Sequence, residues 1–270
     1  MKVLGVVGPS DAEETTLVER LAERLAERGR VGTVASIDEA SETATGRYRD
    51  AGAAVAYGLT DDEWVGSGGS RSLGTVLDRL AAECDYALVQ GFPDARIPQV
   101  VLGDAEPVGD VLVAAPDAAA VDVDALLDDL TATEPRESLA SLVAQVKRSP
   151  GAERSGAIAT FTGRVRGKDG EDDDHTVRLE FEKYEGVADE RLAVIESELT
   201  AREGVYEVLL HHRTGVIEDG ENIVFVVVLA GHREEAFRTV EDGINRLKDE
   251  VPIFKKEITI GDEFWVHERE

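Results

Sequence analysis

Apolar and polar positions along the chain follow two successive patterns. Near the start, Val3-Leu4-Gly5-Val6-Val7 is a short apolar run ended by Gly8-Pro9, which reads as a buried strand and a turn. Leu17, Leu21 and Leu25 recur four apart on one face, which predicts a helix opening at Thr15 or Thr16 and stopped by Gly29. Residues 31–37 read as the next strand. A strand, helix, strand unit of this kind implies a parallel sheet. The same alternation continues with a helix over 73–80, a strand over 86–89, a turn at Gly91-Phe92-Pro93, a strand over 110–114 and a last helix over 123–130.

Residues 131–136 break the pattern with Thr, Glu and Pro, and the second pattern follows. Residues 156–165 are strand-like, and Val177-Arg178-Leu179-Glu180-Phe181 alternates with period two, a strand with one wet face. A charged loop over 168–175 lies between them. Leu192, Ile195 and Leu199 mark a helix over 188–203. Strands over 205–211 and 223–230 are joined through Gly215 and Gly220, and a second helix covers 234–248. Two helices among several strands predict an α+β domain with mainly antiparallel pairing. The expected organisation is a first domain over 1–133, a linker or leading helix over 134–150, and a second domain over 151–270.

Composition adds one strong feature. The net charge is -27, from 56 acidic and 29 basic residues, while 42% of the chain is hydrophobic. Disordered chains combine charge with low hydrophobicity, so this is an acidic globular surface. The acid is spread evenly, 27 Asp and Glu in the first 150 residues and 29 in the rest, which argues against a single acidic tail. Lysine is scarce, with seven Lys beside 22 Arg, and high internal salt would screen the self-repulsion of such a surface. A halophilic, cytoplasmic protein is the expectation, with neither nucleic acid nor membrane as partner. A lone Cys84 allows no intramolecular disulfide, and five scattered His give metal binding little support.

At Gly8 the chain reads Gly-Pro-Ser-Asp-Ala-Glu-Glu-Thr-Thr-Leu between strand and helix. A working phosphate loop needs Gly at position 13 and Lys at 14; Glu13 and Glu14 stand there. Both acids suit the helix dipole and repel a phosphate from the same place. With Thr15-Thr16-Leu17, Arg49-Asp50-Ala51-Gly52-Ala53 and Leu88-Val89-Gln90-Gly91-Phe92, this half resembles the adapter protein of molybdopterin guanine dinucleotide biosynthesis, a P-loop GTPase-like family. That family has Glu where Gln90 stands, and a Lys-His pair where this chain has Ser36-Ile37-Asp38. The departures argue against GTP binding and hydrolysis, and the half reads as a silent scaffold or docking domain. Residual nucleotide binding and an unrelated α/β domain are the alternatives.

Three of the seven lysines, Lys248, Lys255 and Lys256, fall within nine residues around Val251-Pro252-Ile253-Phe254. Rigid and apolar neighbours would hold such cations near a protected site for an anion or a carboxyl terminus. The plainer alternative seats Lys248 at a helix C-terminus, pairs Lys255 with Glu257 or Glu250, and leaves Lys256 on the surface. Other basic signals converge: Gly231-His232-Arg233 at a strand-to-helix junction, His212-Arg213 at a strand end, and Arg164 and Arg166 two apart in Phe161-Thr162-Gly163-Arg164-Val165-Arg166.

These segments, with Leu179-Glu180-Phe181-Glu182-Lys183-Tyr184, His232-Arg233-Glu234-Glu235-Ala236-Phe237 and Trp265-Val266, closely resemble in order the molybdopterin synthase large-subunit family. Phe254 replaces that family's usual Trp, and Val187 its usual Met. The resemblance implies sulfur transfer to cyclic pyranopterin monophosphate, giving the dithiolene of molybdopterin. Two sulfurs would come from a small ubiquitin-like carrier with a C-terminal Gly-Gly thiocarboxylate, in a heterotetramer around a homodimer of large subunits. No tightly bound cofactor and no metal are implied. The family's catalytic residues map to Lys248, as acid/base or transient substrate partner, and Lys255, as an oxyanion or phosphate cation. Action as a base requires Lys248 to lose its ammonium proton, which burial among cations favours. Phe161, Arg166, His232, Arg233 and Arg269 map to substrate binding. His212, Arg213 and Trp265 fit a bracing or core role better, and His175 and His267 a solvent-facing one. A non-catalytic scaffold linking the synthase to later steps is the alternative function.

Overall fold

The computed structural model describes residues 1–37, 44–168, 170, 174–184, 186–259 and 263–266. The chain forms two compact units, Met1–Arg136 and Glu137–Glu270. No helix among the described residues is long and apolar enough to cross a membrane.

The first unit contains, in chain order, β1 (Lys2–Val7), α1 (Asp11–Ala26), β2 (Val31–Ala35), α2 (Ala44–Asp50), β3 (Val55–Leu59), β4 (Trp64–Gly68), α3 (Leu73–Glu83), β5 (Tyr86–Gln90), β6 (Gln99–Leu102), β7 (Val111–Ala115) and α4 (Val123–Ala132). Five strands make the expected parallel sheet, in the order β2-β5-β1-β6-β7. Both of its faces are covered, which is why the strands read as unbroken apolar runs. Leu4 and Val6 point to a core shared with Leu17, Leu21 and Leu25 of α1 and Leu126, Leu127 and Leu130 of α4. Val3, Ala87 and Val89 point the other way, onto Leu77 and Ala81 of α3.

Two details differ from the sequence reading. Helix α1 opens one turn early, at Asp11, behind an extended Ser10, and carries Asp11, Glu13 and Glu14 in its first turn. Negative charge there interacts favourably with the dipole of the helix start, and Ala12, Glu13 and Glu14 are better helix formers than Thr15 and Thr16. The hairpin β3–β4, helix α2 and strand β6 were not expected.

The second unit contains α5 (Leu139–Arg148), β8 (Ala157–Arg164), β9 (Thr176–Lys183), α6 (Val187–Thr200), β10 (Val205–His212), β11 (Gly215–Glu218), β12 (Asn222–Ala230), α7 (Arg233–Glu250), β13 (Ile253–Thr259) and β14 (Glu263–Val266). All strand pairs are antiparallel, in one sheet ordered β10-β12-β8 and another ordered β11-β9-β13-β14. Strand β12 is apolar on both faces because both are packed. Val224, Val226, Val228 and Ala230 join Ile195 and Leu199 of α6 and Ala236, Val240, Ile244 and Leu247 of α7. Phe225, Val227 and Leu229 meet Leu142 and Val146 of α5. Helix α5 lies inside this unit as its leading helix, started by a reciprocal cap between Ser138 and Ser141.

Glu196 on α6 accepts a hydrogen bond from the Leu210 amide at 2.6 Å, which satisfies a donor on the open side of β10. Burial, the main cause, and the nearby Glu207 push its carboxyl above the ordinary value of 4.5, against the Leu210 bond that favours ionisation. A folded-state pKa above the unfolded one gives a contribution that is present at low pH and fades as pH rises through the folded value. Glu196→Gln keeps the acceptor without the charge. Thermal unfolding at about pH 8 should show its midpoint a few degrees above that of the parent chain, with the difference shrinking toward about pH 5. An unchanged gap across that range would contradict this account of Glu196.

Candidate active site

A cavity of about 600 Å³ opens in the second unit, lined by the end of β8, the inner face of β9 and β13, and the C-terminal end of α7. Each element contributes through its own periodicity. On β13, alternate residues Ile253, Lys255 and Glu257 face the cavity, opposite Phe181 and Leu179 of β9. Lys256 lies on the other face, where its ammonium is 3.7 Å from Glu180. Period two therefore separates two adjacent lysines that the sequence presents as a pair.

Helix α7 delivers Ile244, Leu247 and Lys248, the first two closing the floor and the last standing exposed at the rim. Its other face is fixed to α6 by ion pairs of Arg246 with Glu198 and of Glu250 with Arg191, while Arg246 and Glu250 also pair within α7. Glu250 is engaged by Arg246 and Arg191, and Glu257 accepts a hydrogen bond from the Thr176 hydroxyl. The burial expected to assist Lys248 is not supplied by this chain alone.

Strand β8 ends in the Phe161-Thr162-Gly163-Arg164-Val165-Arg166 segment. Phe161, Arg164 and Arg166 all line the cavity, while Val165 turns into the small core of Leu179, Phe181 and Ile217. The glycine has a packing reason, since a Cβ at Gly163 would stand 2.6 Å from Val224 Cγ1. It sits beside an irregularity in the β8–β12 ladder at Asn222 and Val224. Arg164 is partly committed, donating through Nε and Nη2 to the Gly220 carbonyl at 3.1 and 2.9 Å.

His212 belongs to the cavity wall as well, its ring edge-on to Phe181 with centroids 4.8 Å apart. Its Nδ1 lies 2.7 Å from the Arg213 carbonyl, which requires that nitrogen to donate. Arg213 points away and braces the turn through the Asn222 carbonyl and Glu221. Thr162, Thr176 and Glu257 also line the site. Thr162 lies on β8 within the motif already singled out and Thr176 begins β9, whereas Glu257 lies on β13, whose sequence lacks a clean alternation.

The structure thus brings together Phe161, Arg166, Lys248 and Lys255 and does not bring His232 and Arg233 to them. His232 stands at the N-cap of α7 and Arg233 begins it, both exposed, whereas Lys248 is near its end. At 1.5 Å per residue the separation along the axis is about 22 Å, too far to hold one substrate within a protomer. Arg269 and His267 lie outside the described residues, as does the side chain of Trp265.

Four cations line this open, partly apolar cleft, an arrangement suited to holding an anion. The comparisons carry this to a family. Residues 132–250 match the family model described as MoaE protein. A probable molybdopterin synthase of Haloferax volcanii is 56% identical over 270 residues, covering 100% of both chains. The molybdopterin synthase catalytic subunit of Bacillus subtilis is 40% identical over 112 residues, 42% of this chain and 70% of its own. For the first unit, the solved structure of Bacillus subtilis MobB aligns with 49% of this chain and 100% of its own, at 21% identity and a TM-score of 0.40. The chain belongs to the molybdopterin synthase family.

Proposed function

We propose that the second unit is the catalytic part of a molybdopterin synthase and that its cavity receives two ligands. One is cyclic pyranopterin monophosphate; the other is the Gly-Gly thiocarboxylate tail of a small ubiquitin-like carrier. The observation that supports this most is a cleft bearing Arg164, Arg166, Lys248 and Lys255 in a chain of net charge -27. Such a cleft focuses anions against the field of the remaining surface. Arg166 and Lys255 hold phosphate and developing oxyanion, and Phe161 and Phe181 give the pterin an apolar wall. Lys248, at the rim where the tail enters, moves the proton. Entry of the tail supplies the desolvation that the exposed ammonium lacks in the free chain.

The sulfur comes from outside. Cys84 is half-buried in the first unit, and burial pushes its thiol up, which disfavours the thiolate needed for sulfur chemistry. Conversion of the pterin by the purified chain in molar KCl, with and without the thiocarboxylated carrier, tests the reading. Product only with the carrier supports it, whereas a folded chain that binds carrier and yields no product points to a scaffold.

His232 and Arg233 take part if a second copy of the chain places its α7 start at this cavity, as in a homodimer of catalytic subunits. Mixing inactive Lys248→Ala and Arg233→Ala chains, then allowing exchange, should restore about a quarter of native activity, since half the dimers would carry one intact site. An Arg233→Ala chain with native turnover would place Arg233 outside the chemistry, and two inactive variants that stay inactive together despite shown exchange would contradict a site shared between copies.

A further inference from the structure

In the first unit, the loop between β1 and α1 holds an unusual carboxylate. Glu14 is only 3% exposed, and its Oε1 accepts a hydrogen bond from the Gly8 amide at 2.7 Å. Its Oε2 is buried and has no hydrogen-bond donor among the described residues. Two glycines bring bare backbone to this carboxylate. Gly8 packs so tightly that a Cβ would stand 2.9 Å from Leu102 Cβ, and Gly91, at φ +76°, would place a Cβ 3.7 Å from Oε2. From β5, the Gln90 amide nitrogen reaches the Asp11 carbonyl and the Thr15 hydroxyl at 3.3 and 3.0 Å, tying strand end to helix start.

Helix-dipole stabilisation does not account for this arrangement. Asp11 and Glu13 already supply negative charge to the first turn from exposed or half-exposed positions, without the penalty of burying an oxygen that lacks a donor. A buried acid aimed back at a glycine amide is instead what an occupied anion loop looks like.

We infer that this loop is a phosphate-type anion site whose ligand is the chain's own Glu14 carboxylate. The unit keeps the shape of a nucleotide-binding loop while excluding nucleotide phosphate. Phosphate could enter only by displacing Glu14, and it would then lie beside Asp11 and Glu13 as further negative charge. The loop needs no nucleotide to be ordered, and the unit holds a single ligand-independent conformation there.

The test uses the full chain in molar KCl, with inorganic phosphate as probe and thermal unfolding as readout. The native midpoint should not respond to millimolar phosphate, and that of Glu14→Ala should rise with phosphate dose. A native midpoint that rises equally, or a folded Glu14→Ala chain that does not respond, would overturn the inference. Should Glu14→Ala not fold, the Gly8 amide resonance of the native chain decides. It should stay fixed through the phosphate titration, and movement with saturation would show that the loop is open to external anion.

Discussion

Replacing Lys248 with alanine is expected to lower product formation by about 10²- to 10⁴-fold, the range for loss of a positioned proton-transfer group. The unfolding midpoint should stay within about 2 °C of the parent, because Lys248 is exposed and the packing of α7 rests on its neighbours Ile244 and Leu247. The combination is diagnostic. A lysine that served only the dipole at the helix C-terminus would contribute some tenths of a kcal/mol to stability and nothing to turnover. Steady-state rates with saturating carrier and pterin, beside a melting curve, separate the cases. Retained turnover in a folded variant would remove Lys248 from the mechanism.

The adjacent lysines of β13 should behave oppositely. Lys255→Ala removes a cation facing the cavity and is expected to cost about 10²- to 10³-fold in turnover, as loss of one preorganised oxyanion contact does. Lys256→Ala removes a partner of Glu180 on the opposite face and should alter turnover by less than about twofold, since such pairs contribute about 0–1 kcal/mol. Parallel rate measurements on the two variants check the strand register directly. Equal losses would mean that overall positive charge matters rather than the side that each lysine faces.

Much of the fold was legible because the packing demands simple periodicities. Leu17, Leu21 and Leu25 gave the buried face of α1, and the continuous run ending in Ala230 gave a strand covered on both sides. Helix α1 starts at Asp11 rather than at Thr15 or Thr16, and the acids at 11, 13 and 14 are the signal for that start. Strand β13 was hidden by its composition. Ile253-Phe254-Lys255-Lys256-Glu257 lacks clean alternation, because one face lines a polar cavity and the other carries an exposed Phe254 and an ion pair. Strand β11 and the hairpin β3–β4 are short and rich in glycine or exposed apolar residues, which leaves little pattern to read.

Phe161, Arg166, Lys248 and Lys255 meet in one cavity although they lie up to 94 positions apart. Sequence adjacency misled where structure intervened. His232 and Arg233 follow directly on β12, whose residues Ile223 and Val224 line the cavity, yet they emerge at the far end of that strand. His212 braces the strand end through the Arg213 carbonyl and also forms part of the cavity wall, since its place on β10 faces Phe181 of the second sheet.

Sulfur counting from a labelled carrier tests the central claim most directly. The full chain in molar KCl would be given carrier bearing a radiolabelled thiocarboxylate, together with cyclic pyranopterin monophosphate, and the dithiolene product isolated. The account predicts two labelled sulfurs in each product molecule and at least about 10²-fold less product from the Lys248→Ala chain. Unlabelled product, or no product from a folded chain with carrier bound, would contradict it.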